Sequence, residues 1–112
     1  MDDDPVFRRL VRRMLDRNGL AVIGEAENVA SAKEAARNLR PDMVLVDVGL
    51  PDGDGVTLAA ALVALPWAPR VVLMSGDPDA ATEEDVHLSG AEGFVHKGDI
   101  SGAGLDLLLA AE

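Results

Sequence analysis

Three polar residues each close a short apolar run. Asp47 follows Met43-Val44-Leu45-Val46, Ser75 follows Val71-Val72-Leu73-Met74, and Lys97 follows Phe94-Val95-His96. Runs of this kind read as strands buried on both faces of a parallel sheet, and in open α/β sheets the carboxyl ends of such strands are where ligands bind. A parallel sheet would therefore gather a carboxylate, a hydroxyl and an ammonium on one rim. Asp2, Asp3 and Asp4 add further carboxylates near the start of the chain. Clustered carboxylates disfavour one another's ionisation, so the set makes chemical sense around a hard cation held by oxygen ligands, such as Mg²⁺. A hydroxyl and an ammonium beside that cation suit phosphoryl oxygens.

The elements that must position these groups alternate in type. Asp4 and Pro5 are placed as N-cap and first residue of a helix whose apolar positions, Val6, Phe7, Leu10, Val11, Met14 and Leu15, recur at three and four, and Asn18-Gly19 ends it. Leu20 to Gly24 reads as a short strand. Asn28 caps a second helix carrying Val29, Ala32, Ala36 and Leu39, and Pro41 stops it. After the Asp47 strand, Gly49 to Gly55 is a turn-rich loop, followed by a helix over Val56 to Leu65. The Ser75 strand, an acid-led helix from about Asp79 to Ser89, a strand at Gly93 to His96 and a final helix with Leu105, Leu108 and Leu109 complete the pattern. Strands separated by single helices mean βαβ crossovers.

Composition narrows the function classes. The 112 residues suit one domain, spanning 1–112, and the absence of cysteine excludes a disulfide framework and thiolate metal sites. A formal charge of −10 argues against direct nucleic-acid binding by this chain, because phosphate backbones are held by Lys and Arg patches. No apolar run approaches membrane-spanning length, and the acidic start is not a signal peptide, so the expected setting is cytoplasmic.

With these residues in order, the chain resembles a receiver domain of a two-component response regulator over nearly its whole length. In that family an acidic pair follows the first strand, a phospho-accepting Asp ends the third, a Ser or Thr ends the fourth and a Lys follows the fifth. Asp2 and Asp3, Asp47, Ser75 and Lys97 match these positions. Leu50-Pro51-Asp52-Gly53-Asp54-Gly55 resembles the family's Pro-x-x-Asp-Gly stretch, and Phe94 takes the place of its aromatic switch residue. Gly98 replaces the proline often found after the Lys, and Gly76 stands where Ala is common.

The resemblance implies a flavodoxin-like doubly wound α/β fold with strand order 2-1-3-4-5. It implies a phosphorylation-controlled signalling switch in which Asp47 is the nucleophile toward a donor phosphohistidine or a small acyl phosphate. Lys97 and Ser75 would contact the phosphoryl group, and Ser75 and Phe94 would form the switch. Mg²⁺ would be held by Asp3, Asp47 and the backbone carbonyl of Gly49, and through water by Asp2. Catalysis would extend at most to Mg²⁺-dependent self-phosphorylation and self-dephosphorylation, without turnover of a separate substrate. The implied partners are a sensor histidine kinase or phosphotransfer protein, a downstream protein met through the face of the fourth helix, fifth strand and fifth helix, and a second copy in a homodimer. Gly93 to Ile100 resembles receivers joined to helix-turn-helix output domains; no output domain follows within this chain, so a stand-alone receiver and the receiver fragment of a DNA-binding regulator are both open.

Rival readings attach to the same residues. A pseudo-receiver would use the fold as an interaction module that never carries phosphate. Asp52-Gly53-Asp54-Gly55 invites comparison with a calcium loop, but the bidentate Glu needed at the loop's last position is replaced by Val63. The same loop as the nucleophile of a small phosphatase is disfavoured, and a solvated turn before a helix explains it better. Asp4 is explained as a helix cap, Trp67 as a packing anchor, and His87 and His96 as isolated residues.

One feature departs from the expected fold. A receiver places an apolar strand at the centre of the sheet just before the acidic pair, yet only Met1 precedes Asp2. With strands about 4.8 Å apart, its loss leaves a gap of roughly 10 Å lined by unpaired backbone groups. The expectation is a first strand truncated to a stub, and either a start upstream of Met1, a rearranged sheet or a strand borrowed from another copy.

Overall fold

A computed structural model describes residues 1–109. The first helix, α1, is Pro5–Arg17. Asp4 caps it by accepting the Val6 N–H at 2.9 Å, and Pro5 at its start gives up no hydrogen bond the helix needs. Helix α2, Val29–Leu39, opens on a reciprocal capping box between Asn28 and Ser31.

Three apolar runs form one parallel sheet. Strand β1 is Met43–Asp47, β4 is Arg70–Ser75 and β5 is Gly93–His96, in the order β1-β4-β5. Between β1 and β4 lie a two-residue hairpin, β2 (Gly49–Leu50) with β3 (Gly53–Asp54), and helix α3, Gly55–Val63. Helix α4, Glu83–Ser89, joins β4 to β5. A 3-10 turn at Lys97–Asp99 and a π turn at Ile100–Gly104 lead into α5, Leu105–Leu109.

Alternation along the strands builds a core on each face of the sheet. Val44, Val46, Val71 and Leu73 pack with Ala32 and Ala36 of α2 and with Leu58, Ala59 and Leu62 of α3. Val72 and Val95 pack on the other face with Val11 of α1 and Leu108 of α5, and Met43 and Leu45 join them. Helices on both faces explain why the strands read as continuous apolar runs. The register then sets the site: Asp47 pairs with Met74 and Ser75 with His96, so the three carboxyl ends finish together.

Gly55 shows how closely α3 is drawn under that rim. A Cβ there would overlap the Asp47 carbonyl and sit 2.6 Å from Val48 Cα, while the Gly55 N–H donates to the Val48 carbonyl at 2.8 Å. Only glycine fits this approach.

Several expectations are corrected. Leu20 to Gly24 forms no strand, and the sheet contains the last three strands of the expected five. Among the described residues no strand lies beside Leu20 to Gly24 for it to pair with. Met1 stands in the place of the expected first strand: its amine donates to the Leu45 carbonyl at 2.8 Å, its carbonyl accepts from the Asp47 N–H at 2.9 Å, and the Asp2 N–H donates to the Ala26 carbonyl at 3.0 Å. Helix α4 begins at Glu83 rather than Asp79, because Thr82 and Asp85 make a capping box there. The expected end of the last helix at Glu112 lies outside the described residues.

Candidate functional site

The carboxyl ends of the strands carry the groups that could act on an anion. Asp47, at the end of β1, is buried, as is Asp2; Asp3 is exposed. One carboxylate oxygen from each of the three lies within 4.8 Å of the others. The backbone holds two of them in place: Asp47 Oδ1 accepts the Gly49 N–H at 3.1 Å, and Asp2 Oδ1 accepts the Asp4 N–H at 2.8 Å.

Lys97 enters the cluster from the end of β5. Its ammonium lies 2.6 Å from Asp2 Oδ2 and 3.0 Å from Asp47 Oδ2, and Asp2 Oδ2 has no partner other than this ion pair. Burial works against the Lys97 charge, but the bonds to Asp2 and Asp47 outweigh it and hold the pKa above the ordinary lysine value. The same ammonium stands 4.7 Å from the centre of the Phe7 ring on α1. Phe7 was legible in the sequence only as part of a helix face; its place one turn past the acidic pair is the signal that it could meet the site. Nearby, burial pushes the Met1 ammonium down from 8.0 to about 6 despite the attraction of Asp2.

Ser75, buried at the end of β4, turns its hydroxyl to the loop that follows, accepting the Asp77 N–H at 3.0 Å. His96 braces this loop. The Gly98 N–H donates to its Nδ1 at 3.2 Å, which leaves the proton on Nε2 to donate to the Gly76 carbonyl at 2.9 Å. Phe94, paired in register with Leu73, is half-buried against the larger core.

The Asp52 loop has a different role from either rival reading. Asp52 accepts the N–H groups of Val29 at 2.6 Å and Ala30 at 3.2 Å, capping α2 from across the fold. Those backbone donors, Val29 first, hold its pKa below the usual carboxylate value. Asp54 caps α3 through the Val56 N–H and the Thr57 hydroxyl. Trp67 anchors its loop by donating to the Pro41 carbonyl at 3.1 Å, under the Arg40 guanidinium. His87 is exposed.

The donor set fits a hard divalent cation. All the converging atoms are carboxylate oxygens, one of them buried with no partner but a lysine, and a single ammonium does not balance three carboxylates. Asp47, Ser75 and Lys97 thus finish on one rim as the strand pattern requires, with Asp2 and Asp3 beside Asp47.

The family model described as response regulator receiver domain matches residues 1–102. A Pseudomonas aeruginosa protein named as a transcriptional regulator is 35% identical over 112 residues, all of this chain and 53% of its own length. The chemotaxis protein CheY of Bacillus subtilis is 30% identical over 97 residues, 87% of this chain and 81% of its own length. Among solved structures, the signal receiver domain of NarL from Mycobacterium tuberculosis superposes with a TM-score of 0.78 at 36% identity, covering 94% of this chain and 89% of that one. The chain spans about half the length of the first curated relatives it matches.

Proposed function

Because the chain belongs to the response regulator receiver family, we propose that it is a phosphorylation-controlled signalling switch whose phosphoryl acceptor is Asp47. The observation that carries this reading is the junction of Asp47 with Lys97 and the acidic pair on one rim of a parallel sheet. A carboxylate oxygen of Asp47 attacks the donor phosphorus; an O–P bond forms as the bond to the donor nitrogen or oxygen breaks, and the leaving group carries that electron pair away.

The other residues divide the remaining work. Asp3, Asp47, the Gly49 carbonyl and, through water, Asp2 would hold Mg²⁺. When bound, that ion would neutralise phosphoryl charge. Lys97 already lies against Asp47 Oδ2, so its ammonium is within reach of a phosphoryl oxygen placed on that carboxylate. Ser75 would release the Asp77 N–H to meet the same group, and Phe94 would follow it inward. Phosphorylation adds about −1.5 to −2 charges at Asp47. The response would reach partners through α4, β5 and α5, a face on which Leu88 is 73% exposed.

The implied donor is a histidine kinase or phosphotransfer protein in the cytoplasm, and the output is another protein. No helix among the described residues is long and apolar enough to cross a membrane. Beryllofluoride with Mg²⁺ tests the reading by NMR. Amide shifts centred on Asp47 and reaching Ser75, Phe94 and Lys97 are expected; a spectrum unchanged by the mimic selects an interaction module that does not take phosphate.

A further inference from the structure

The peptide unit between Gly76 and Asp77 is held at both ends. Its N–H donates to the Ser75 hydroxyl at 3.0 Å, and its carbonyl accepts from His96 Nε2 at 2.9 Å. The sheet places His96 for this: it pairs with Ser75 across β4 and β5, beside the strand end from which the loop departs. Its other ring nitrogen is also engaged, Nδ1 accepting the Gly98 N–H at 3.2 Å. One half-buried imidazole thus joins the loop after Ser75 to the turn after Lys97, the two segments next to the hydroxyl and the ammonium of the site.

Gly98 is matched to that ring. A Cβ there would stand 2.9 Å from His96 Nδ1 and 3.1 Å from Cε1, so a side chain at this position would push the imidazole away from its partners. A proline would supply no N–H for Nδ1 to accept. At Gly76, by contrast, a Cβ would meet nothing within 4 Å, and the ring grips that loop by its backbone carbonyl.

A planar peptide fixed by its carbonyl has a fixed N–H direction. His96 therefore keeps the Asp77 N–H aimed at Ser75 Oγ, and that bond engages a buried hydroxyl. If Ser75 turns toward a phosphoryl group on Asp47, it abandons an N–H that cannot follow while the carbonyl is held. A contact made in one of two arrangements biases the equilibrium toward that arrangement. Resting on the reading of Asp47 as acceptor and Ser75 as switch, we propose that His96 is a latch on that switch. It is a positioning residue that acts through the 76–77 peptide, holding the Ser75 hydroxyl toward its own loop and opposing its turn to the phosphoryl group.

Beryllofluoride with Mg²⁺, titrated into the intact chain and followed by NMR, tests this. His96→Phe keeps a ring and removes both nitrogens, and the mimic concentration at half response is expected to fall roughly fivefold, the factor one net hydrogen bond is worth. Gly98→Ala, which crowds the same ring, should lower it with His96 in place. His96→Gln, whose amide offers one acceptor and one donor, should return toward the wild type. In a Ser75→Ala background His96→Phe should change nothing, because the latch acts through that hydroxyl. A merely structural role would not tighten binding of the mimic. An unchanged or raised half response in both His96→Phe and Gly98→Ala overturns the latch, and so does an equal effect of His96→Phe with and without Ser75. Without the mimic, the Asp77 amide should exchange faster in His96→Phe than in the wild type. A wild type that ignores beryllofluoride while Asp77 still depends on His96 defeats the reading of the switch and not the hold on its loop; an Asp77 amide indifferent to His96 defeats the latch whatever the mimic does.

Discussion

Lys97 Nζ lies 3.0 Å from Asp47 Oδ2 and 2.6 Å from Asp2 Oδ2, so a single ammonium ties the end of β5 to the end of β1 and to the residue after Met1. It occupies the position between two buried carboxylates that a divalent cation would contest. Replacing it therefore has two separable effects. Lys97→Ala should destabilise the Mg²⁺-free protein by about 2 kcal/mol, since it removes charge-assisted bonds from Asp2 and Asp47. It should also raise Mg²⁺ affinity, so that millimolar Mg²⁺ restores more stability to the variant than to the wild type. Urea titrations with and without Mg²⁺ measure both, and equal Mg²⁺ effects on the two proteins would separate Lys97 from the cation site.

Asp3 gives the complementary case. It is exposed, while Asp2 is buried and bonded to the backbone of Asp4. Asp3→Ala should leave the melting temperature in chelator unchanged and weaken Mg²⁺ binding, because it deletes a ligand without disturbing packing. An NMR titration with Mg²⁺ reads this directly. Unchanged affinity would remove Asp3 from the site.

Asp52 makes stability depend on pH in a defined sense. Its carboxylate caps α2 and its folded pKa is lowered, so the folded state favours the ionised form. The contribution is present above the ordinary carboxylate pKa and is lost as pH falls through the folded value. Asp52→Asn should therefore be less stable than wild type near neutrality, with the difference closing on acidification. Urea midpoints from neutral to strongly acidic pH test it; a gap that stayed constant would mean the charge is irrelevant to the cap.

Gly49 bears on the lifetime of the phosphorylated state. A Cβ at this position would meet only Asp47 Oδ1, at 4.0 Å, so no side chain shields that flank of the acceptor. Water should reach the aspartyl phosphate easily and hydrolyse it within minutes. Gly49→Phe should lengthen the lifetime, as followed by loss of the phosphorylated mass after donor removal. A wild-type half-life of many hours would contradict this account.

The site was legible in the sequence where it depends on strand ends. The apolar runs before Asp47, Ser75 and Lys97 carry a strong signal, and a parallel sheet has no choice but to bring their ends together. Helix caps at Asp4 and Asn28 were equally local and equally readable. Asp52 was not, because its partner is the start of α2, 23 residues away, and nothing near Asp52 signals it. Leu20 to Gly24 failed for the opposite reason: its local pattern is that of a strand, but a strand exists only with a neighbour to pair. The start of α4 lies at Glu83 rather than near Asp79, at the capping-box spacing of Thr82 and Asp85, a local signal finer than the acid-led pattern that marks the helix as a whole.

The most direct test of the central claim is intact-protein mass spectrometry after incubation with acetyl phosphate and Mg²⁺, comparing the wild type with Asp47→Asn. The amide keeps the volume of the carboxylate and removes the nucleophile. The account predicts one Mg²⁺-dependent, hydroxylamine-labile phosphoryl adduct on the wild type and none on the variant, with both folded alike by circular dichroism. An adduct of equal yield on Asp47→Asn would contradict it.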